Sequence, residues 1–286
     1  MAQVAIVTDT CHYLPRQLVA ARGIHEVSLY VHWDERQDRE ADLPSFDQYY
    51  RFLETTGELP TTSQPSIGDF LGVYEPLLAA GREVVSIHLA GGMSGTVRSA
   101  EQARDALGPD DAARVHVLDS ASACGGLGLV VLAAHAAAAR GASAAEVLEQ
   151  AREARAAMRM WFAIDTLEYL KRGGRIAAAQ AWLGSALRIK PILTVEEEIV
   201  PVERVRTSAR AFERLIEYLR SRHDDGADAW VVQHIQAPEE AGRLVAAGRE
   251  IYGTDPAFVS EIGPVIGTHV GPGLLGVGAA PSRFLS

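Results

Sequence analysis

The chain has 286 residues, of which 48% are hydrophobic and 22% are charged, and its formal net charge is -10. This length is enough for one large or two moderate globular domains. The acidic balance argues against a nucleic-acid-binding protein, because phosphate contacts need clustered Lys and Arg. A small acidic ligand remains compatible with the charge, since one local basic group is enough to bind it.

The sequence carries no targeting or membrane-spanning signal. Its longest apolar run, 126–139, includes His135 and is shorter than the ~18 residues of a spanning helix. The N-terminus begins at once with the strand-like "QVAIVTD" and lacks the basic region of a signal peptide. Cys11 and Cys124 are the only cysteines and lie far apart. We therefore expect a cytoplasmic protein with reduced thiols and no integral membrane segment.

Strand-like and helical segments alternate through the first part of the chain. The predicted strands are 3–7, 26–33, 83–89, 115–118 and 161–164. The predicted helices are 46–55, 67–80, 95–107, 126–140 and 144–158. Several of these helices begin at a serine followed three residues later by an acid or amide, which is a capping pattern. The alternation predicts a parallel sheet with helices on both faces.

The pattern changes after about residue 160. It predicts short helices at 165–174 and 177–187, an antiparallel hairpin around "EEE" (196–198), a helix–strand–helix run over 208–251, and glycine-broken strands near the C-terminus. We therefore predict an α/β protein of two closely packed domains. Residues 1–160 form an α/β domain with the parallel sheet, and residues 161–286 form a smaller α/β domain with antiparallel strands.

Two segments place hydroxyls at predicted helix starts: "PTTSQPS" (60–66) and "AGGMSGT" (90–96). Unpaired backbone amides at a helix start favour a negative group. Thr62 or Ser63, together with Ser94, would bind one carboxylate or phosphate if the two loops are neighbours. The alternative is that Ser94 only caps its helix. The Gly91–Gly92 pair favours a ligand site, because close backbone approach needs glycines and a cap does not.

A hydrolase is a second hypothesis for Ser94. "GMSGT" resembles the G-x-S-x-G nucleophile elbow, but Thr96 stands where the last glycine belongs. His269, in the glycine-rich "GPVIGTHVGPG" (263–273), is available for a triad, but a core histidine is an equally good interpretation. We predict that the glycines break a strand there. Phosphate-loop, dinucleotide and H-E-x-x-H motifs are absent, so we expect no cofactor and no metal.

The densest basic cluster is "LKRGGRI" (170–176), with Lys171, Arg172 and Arg175 around two glycines. Basic residues before Gly173 are typical of a helix C-terminus, where they satisfy the last carbonyls. An arginine fork is equally typical of an anion or partner contact. The spacing leaves both interpretations open.

Taken together, the motifs resemble the DegV family, the fatty-acid-binding subunits of bacterial fatty acid kinases. The matching stretches cover almost the full length in the family's order: "VTDT" (7–10), "TSQPS" (62–66), "GGMSGTVRSA" (91–100), "LEYLKRGGRI" (167–176), "KPIL" (190–193) and "GPVIGTHVGPG" (263–273). The resemblance implies a carrier rather than an enzyme. Such a carrier holds one long-chain fatty acid in a buried apolar tunnel, and a separate ATP-dependent kinase subunit phosphorylates the carboxylate to give an acyl-phosphate for lipid synthesis.

The resemblance also implies roles for individual residues. Thr62 and Ser94 match the carboxylate-binding hydroxyls, and His269 matches the histidine of the same network. We include the neighbouring Ser63, Gly95 and Thr268 in the predicted carboxylate site. Arg175, with Arg172, matches the contact to the kinase subunit. The resemblance allows transient membrane contact, and the remaining alternatives are an esterase using Ser94 or another small-acid-binding protein.

Overall fold

The computed structural model describes residues 3–56, 60–182 and 189–286. Its strands are β1 (Val4–Asp9), β2 (His25–Val27), β3 (Tyr30–Trp33), β4 (Arg36–Arg39), β5 (Thr61–Ser63), β6 (Glu83–His88), β7 (Val115–Asp119), β8 (Arg159–Ala163), β9 (Lys190–Glu196), β10 (Glu198–Val205), β11 (Ala229–His234), β12 (Phe258–Glu261) and β13 (Leu275–Ala280). Its α-helices are α1 (Arg16–Arg22), α2 (Asp47–Thr55), α3 (Ile67–Ala79), α4 (Thr96–Asp105), α5 (Pro109–Ala112), α6 (Cys124–Ala139), α7 (Ala144–Ala157), α8 (Glu168–Arg172), α9 (Ser208–Asp224), α10 (Pro238–Tyr252) and α11 (Pro264–Val270). Short 3-10 helices cover Thr10–His12, Glu40–Asp42, Ala177–Trp182 and Ser282–Phe284.

The first sheet is parallel throughout, in the order β2-β1-β6-β7. Successive residues of a strand face opposite sides, and in β1 both sides are buried. Ala5 and Val7 pack against Phe70 of α3 in one apolar cluster. Val4 and Ile6 belong to the main core, which also contains the leucines and valines of α6. The predicted parallel sheet with helices on both faces is therefore confirmed.

The second sheet has the order β10-β9-β8-β13-β11-β12 and is antiparallel except between β11 and β12. α9 and α10 cover one face, and α6 packs against the other. Because α6 lies between the two sheets, it is buried on nearly all sides. The main core accordingly contains residues of both halves of the chain, including Ile6, Leu127 and Val231. The division into domains near residue 160 remains a prediction.

The predicted strand 26–33 is wrong as a single strand. β2 joins the parallel sheet, whereas β3 pairs with β4 and β5 in a separate three-stranded antiparallel sheet. The chain changes sheets at Leu29, whose backbone N–H donates to the Thr10 hydroxyl (3.3 Å) and whose carbonyl accepts from Glu40 N–H (3.0 Å). Apolar alternation alone does not reveal this exchange of partners, because it continues through both strands.

The predicted glycine-broken strand around Thr268 and His269 is also wrong, since these residues lie on α11. Pro264 occupies the first helical turn, and Gly271, with φ of 77°, follows the helix. Proline at the start and glycine after the end are favoured at helix boundaries. The predicted helix 177–187 is a 3-10 helix over Ala177–Trp182, and its remaining residues lie outside the described part of the chain.

None of the helices within the described residues combines the length and apolar character that a membrane crossing requires.

Candidate ligand-binding site

The two hydroxyl-bearing loops meet at one cavity. A Cβ on Gly95 would lie 2.7 Å from Gln64 Nε2, so the 60–66 and 90–96 loops are in direct contact. Ser94 follows parallel strand β6, but Thr62 lies on β5, which the three-stranded sheet positions. The predicted proximity therefore arises from two sheets and not from adjacent parallel strands. The cavity is lined by Leu29, Thr62, Ser63, Gln64, Leu89, Met93, Ser94, Arg175, Ile199, Val265, Ile266, His269 and Val270.

His269 joins α11 to β5 at this cavity. Its Nε2 lies 2.9 Å from Thr62 Oγ1, and its Nδ1 is buried without a hydrogen-bond partner among the described residues. Burial, followed by the nearby Arg175 guanidinium, lowers the pKa of His269 to about 4. The imidazole is therefore neutral at pH 7. In the tautomer that protonates Nε2, His269 donates to Thr62 and leaves the Thr62 hydroxyl hydrogen free for a ligand oxygen.

Ser94 has a local partner as well as a place in the cavity. Its Oγ lies 2.9 Å from Thr96 Oγ1 and accepts a hydrogen bond from Thr96 N–H (3.3 Å) at the start of α4. It is half-buried and lines the cavity. Within the described residues, no imidazole contacts its hydroxyl, and no carboxylate orients the His269 ring. The geometry of a serine–histidine–acid triad is thus missing there.

The Gly91–Gly92 pair has a structural explanation. A Cβ on Gly92 would lie 2.6 Å from the carbonyl oxygen of Glu197, at the tip of the β9–β10 hairpin. A Cβ on Gly91 would lie 2.8 Å from Asp119 Oδ2, which accepts a hydrogen bond from Gly91 N–H (3.1 Å). The glycines therefore allow this loop to pack closely against other parts of the protein, and not against a ligand. These contacts hold the loop that carries Ser94.

The other predicted carboxylate-site residues differ in their surroundings. Ser63 lines the cavity, and its Oγ lies 2.9 Å from Nε2 of His32, a β3 residue that no sequence motif identified. Gly95 lies behind the lining, against Gln64. Thr268 is buried away from it, because its hydroxyl donates to the Pro264 carbonyl (2.7 Å) and contacts the Tyr49 hydroxyl (2.6 Å).

The predicted partner contacts lie at the rim. Arg175 is exposed, lines the cavity mouth and donates to the carbonyls of Gly173 (2.7 Å) and Met93 (3.5 Å). Arg172 is exposed in the last turn of α8. Gly173 follows this helix, as predicted, and faces His269 so closely that a Cβ there would overlap Nδ1. The basic cluster thus ends a helix and also borders the cavity.

A second, more apolar cavity adjoins the first. It shares Met93, Ile199, Ile266 and Val270 with the first cavity. Its further lining residues come from the second sheet and its connections: Ala123, Cys124, Met160, Phe162, Val195, Gln233, Ile262, Leu274 and Gly276. The sequence did not identify these residues, because alternating apolar side chains in strands look the same whether they face a core or a tunnel. The lining includes Cys124 at the start of α6 but no residue of 126–140.

The two cavities thus lie side by side, with hydroxyls and a neutral imidazole lining the first and mainly apolar side chains lining the second. This arrangement is suited to a ligand with one small polar end and a long apolar body. Within the described residues, no group of three or more His, Cys, Asp or Glu side chains could hold a metal ion.

Comparison with known proteins agrees with this geometry. Residues 3–282 match the family model described as "Uncharacterised protein, DegV family". Protein DegV of Bacillus subtilis is 36% identical over 277 residues, which cover 96% of this chain and 98% of that protein.

Solved structures are similar over the whole chain. A DegV family protein from Thermus thermophilus, described by its fatty acid binding, has a TM-score of 0.87 at 32% identity and covers 98% of this chain and 99% of its own. The structure of DegV from Bacillus subtilis, described as a fatty acid binding protein, has a TM-score of 0.88 at 33% identity, with coverage of 98% and 100%. The chain therefore belongs to the DegV family.

Proposed function

We propose that this protein binds one long-chain fatty acid and presents its carboxylate to an ATP-dependent kinase subunit. The observation that carries the proposal is a polar cavity lined by Thr62, Ser94 and His269 that adjoins a more apolar cavity. The description of two similar solved proteins as fatty-acid-binding supports the same ligand. In this role the chain is a carrier that needs no cofactor, and it is not itself an enzyme.

Burial of the acyl chain supplies most of the affinity. A C16 chain buries about 14 methylenes at ~0.8 kcal/mol each, or roughly 11 kcal/mol before the costs of association. A few neutral donors are then enough to orient the carboxylate. Because Thr62, Ser94 and the neutral His269 form no ion pair with it, the carboxylate keeps its nucleophilic character.

The kinase step would take place at the mouth. A carboxylate oxygen attacks the γ-phosphorus of ATP, the bond to the β-phosphate oxygen breaks, and ADP leaves with the acyl-phosphate as product. We propose that Arg175 and Arg172, both exposed beside the mouth, contact the kinase subunit.

The protein would act in the cytoplasm, where ATP is available, and would contact the membrane transiently when lipid is exchanged. The 1–160 domain supplies the head-group loops, and the 161–286 domain contributes to the tunnel.

Two measurements test the two parts separately. Native mass spectrometry of the delipidated protein after incubation with palmitate or oleate should show one bound fatty acid per chain. A protein that stays empty under these conditions contradicts the carrier function. Addition of a bacterial fatty acid kinase subunit and ATP should then give acyl-phosphate, which hydroxylamine traps as a hydroxamate. Fatty-acid binding without hydroxamate formation would support the carrier function but contradict presentation of the carboxylate to a kinase subunit.

A further inference from the structure

A buried carboxyl group holds the start of the helix that carries His269. Glu40, in the 3-10 helix Glu40–Asp42, is 2% exposed. Its Oε1 accepts hydrogen bonds from the Val265 backbone N–H (2.8 Å) and from the Tyr13 hydroxyl (2.9 Å). The Tyr13 oxygen in turn accepts from Ile266 N–H (3.3 Å). The first turn of α11 thus donates two of its backbone amides to this pair.

The chain before α11 is packed directly against the same pair. A Cβ on Gly263 would lie 2.6 Å from Glu40 Oε1 and 2.9 Å from Tyr13 Cε1, so only glycine permits this approach. The pair lies on one side of α11. The residues of α11 that line the ligand cavity are Val265, Ile266, His269 and Val270. The position of the cavity wall therefore depends on the contacts of Glu40 and Tyr13.

We propose that Glu40 and Tyr13 are positioning residues for fatty-acid binding, because they fix α11 so that His269 meets Thr62 and the wall of the tunnel is complete. This inference rests on the proposed function. A buried carboxyl group costs free energy that an apolar side chain would not. The two hydrogen bonds accepted by Glu40 Oε1 lead directly, or through Tyr13, to α11.

The charge state of Glu40 provides a specific signature. Burial raises the pKa of this carboxyl group to about 7, against the hydrogen bonds from the Val265 N–H and the Tyr13 hydroxyl, which lower it. Its ionised form is the stronger hydrogen-bond acceptor, so α11 is held more firmly above pH 7 than below. The other titratable groups around Glu40 are Asp9 on β1, Cys11 and His12 in the first 3-10 helix, Tyr13, Arg16 on α1, Glu26 on β2, Tyr49 and Tyr50 on α2, Cys124 on α6, and Glu261 on β12.

The test compares Glu40→Gln and Tyr13→Phe with the wild type, using displacement of a fluorescent fatty acid by oleate at pH 8 and pH 6. Glutamine has the same shape as glutamate and stays neutral. The Glu40→Gln variant should therefore bind oleate roughly threefold to tenfold more weakly than the wild type at pH 8. At pH 6 the two affinities should converge, because Glu40 is then protonated in the wild type. Tyr13→Phe should bind more weakly at both pH values. Tyr252→Phe is the matched control, since its buried hydroxyl donates to the Leu219 carbonyl (3.1 Å) in the other core cluster.

The outcomes separate this inference from the proposed function. Equal affinity of Glu40→Gln and the wild type at pH 8, or the same loss at both pH values, overturns the positioning role while fatty-acid binding stands. If the wild type binds no oleate, the proposed function fails. The imidazole NMR signals of His269 then still test whether Glu40 positions this side chain. Signals that move in Glu40→Gln but not in Tyr252→Phe support positioning, and unchanged signals overturn it.

Discussion

At the scale of single residues, the cavity mouth combines neutral hydroxyl and imidazole groups with the exposed Arg175 at its rim. Thr62, Ser94 and His269 were selected from short motifs, and all three line the same cavity. Their motifs show which residues have unusual surroundings, because hydroxyls and glycines at helix starts are visible in the sequence. Side-chain direction is not visible there, so the sequence also predicts Thr268, one residue from His269, whose hydroxyl in the structure contacts Tyr49.

Ser94→Ala should weaken presentation of the carboxylate while leaving the fold intact. The variant loses one hydroxyl at the mouth, worth about 0.5–1.5 kcal/mol, so acyl-phosphate formation should fall by up to roughly tenfold. The measurement is the hydroxamate yield per unit time with kinase and ATP, alongside thermal unfolding. Ser221→Ala, at an exposed position on α9, is the control. A wild-type rate of acyl-phosphate formation in Ser94→Ala would show that Ser94 does not take part in presenting the carboxylate.

His269 should also make stability depend on pH. Its pKa is lowered to about 4 in the folded protein, whereas an unfolded histidine has a pKa of about 6.5. The unfolded state therefore binds more protons between these values, and the free energy of unfolding falls as the pH drops through this window. From pH 7 to pH 5 the loss should be roughly 2 kcal/mol.

Urea unfolding of the wild type and His269→Gln at pH 7 and pH 5 measures this contribution. The difference between the two proteins cancels the other titrating groups, including Glu40, whose raised pKa acts in the opposite direction. The wild type should lose more stability than the variant on acidification. Identical losses would show that His269 is protonated as readily in the folded as in the unfolded state.

At the scale of secondary-structure elements, most segments follow from the sequence and the exceptions have identifiable causes. Alternating strands and helices, the capping serines of α3 and α7 and the β9–β10 hairpin were predictable from local patterns. The serine expected to cap α2 was wrong, since that helix begins at Asp47 after Phe46 and has no side-chain cap. α11 was not, because Gly263, Gly267 and Gly271 resemble a broken strand. In the structure, Gly263 and Gly267 make room for Glu40 and Tyr50, and Gly271 has a positive φ. Tertiary packing therefore accounts for glycines that local propensity reads as helix breakers.

Gly173→Ala should disturb the contact between α8 and α11. The backbone φ of Gly173 is -76°, so alanine is tolerated by the backbone, but its Cβ would overlap His269 Nδ1. Displacement of the imidazole should weaken oleate binding roughly tenfold, as expected for about 1.4 kcal/mol. Gly242→Ala is the matched control, because it lies within α10 with nothing within 4 Å of the added Cβ. The control should bind normally and gain about 0.5–1 kcal/mol of stability. Normal binding by Gly173→Ala would show that His269 does not need its present position.

At the scale of the whole molecule, the inner cavity lies where the second sheet, α11 and the start of α6 meet. The parallel sheet and its helices were predictable because strand-like and helical segments alternate in this part of the chain. The inner cavity was not, since its lining comes from segments as distant as Ala123, Phe162 and Gly276. A path between elements depends on how sheets pack, and no short motif encodes that packing.

Gly276→Val should shorten the acyl chain that fits. A Cβ at this position would make ordinary contacts with Phe162 Cβ (3.5 Å) and Leu274 Cδ2 (3.7 Å), so the strand can accept a side chain. The added methyls would fill part of the inner cavity. Competition binding should therefore show a larger loss of affinity for an 18-carbon than for a 14-carbon fatty acid. An unchanged ratio of the two affinities would place the end of the acyl chain elsewhere.

The lining of the inner cavity belongs to the main hydrophobic core. Phe162, Ile266 and Val270 pack with α6 in the same cluster that joins the two halves of the chain. A fatty acid in this cavity would fill space within the core and pack there as an apolar side chain does. Ligand that binds only the folded state stabilises it in proportion to the logarithm of ligand concentration. The amount of folded carrier in a cell would then rise and fall with the supply of free fatty acid, so that the carrier's own abundance would report on lipid availability.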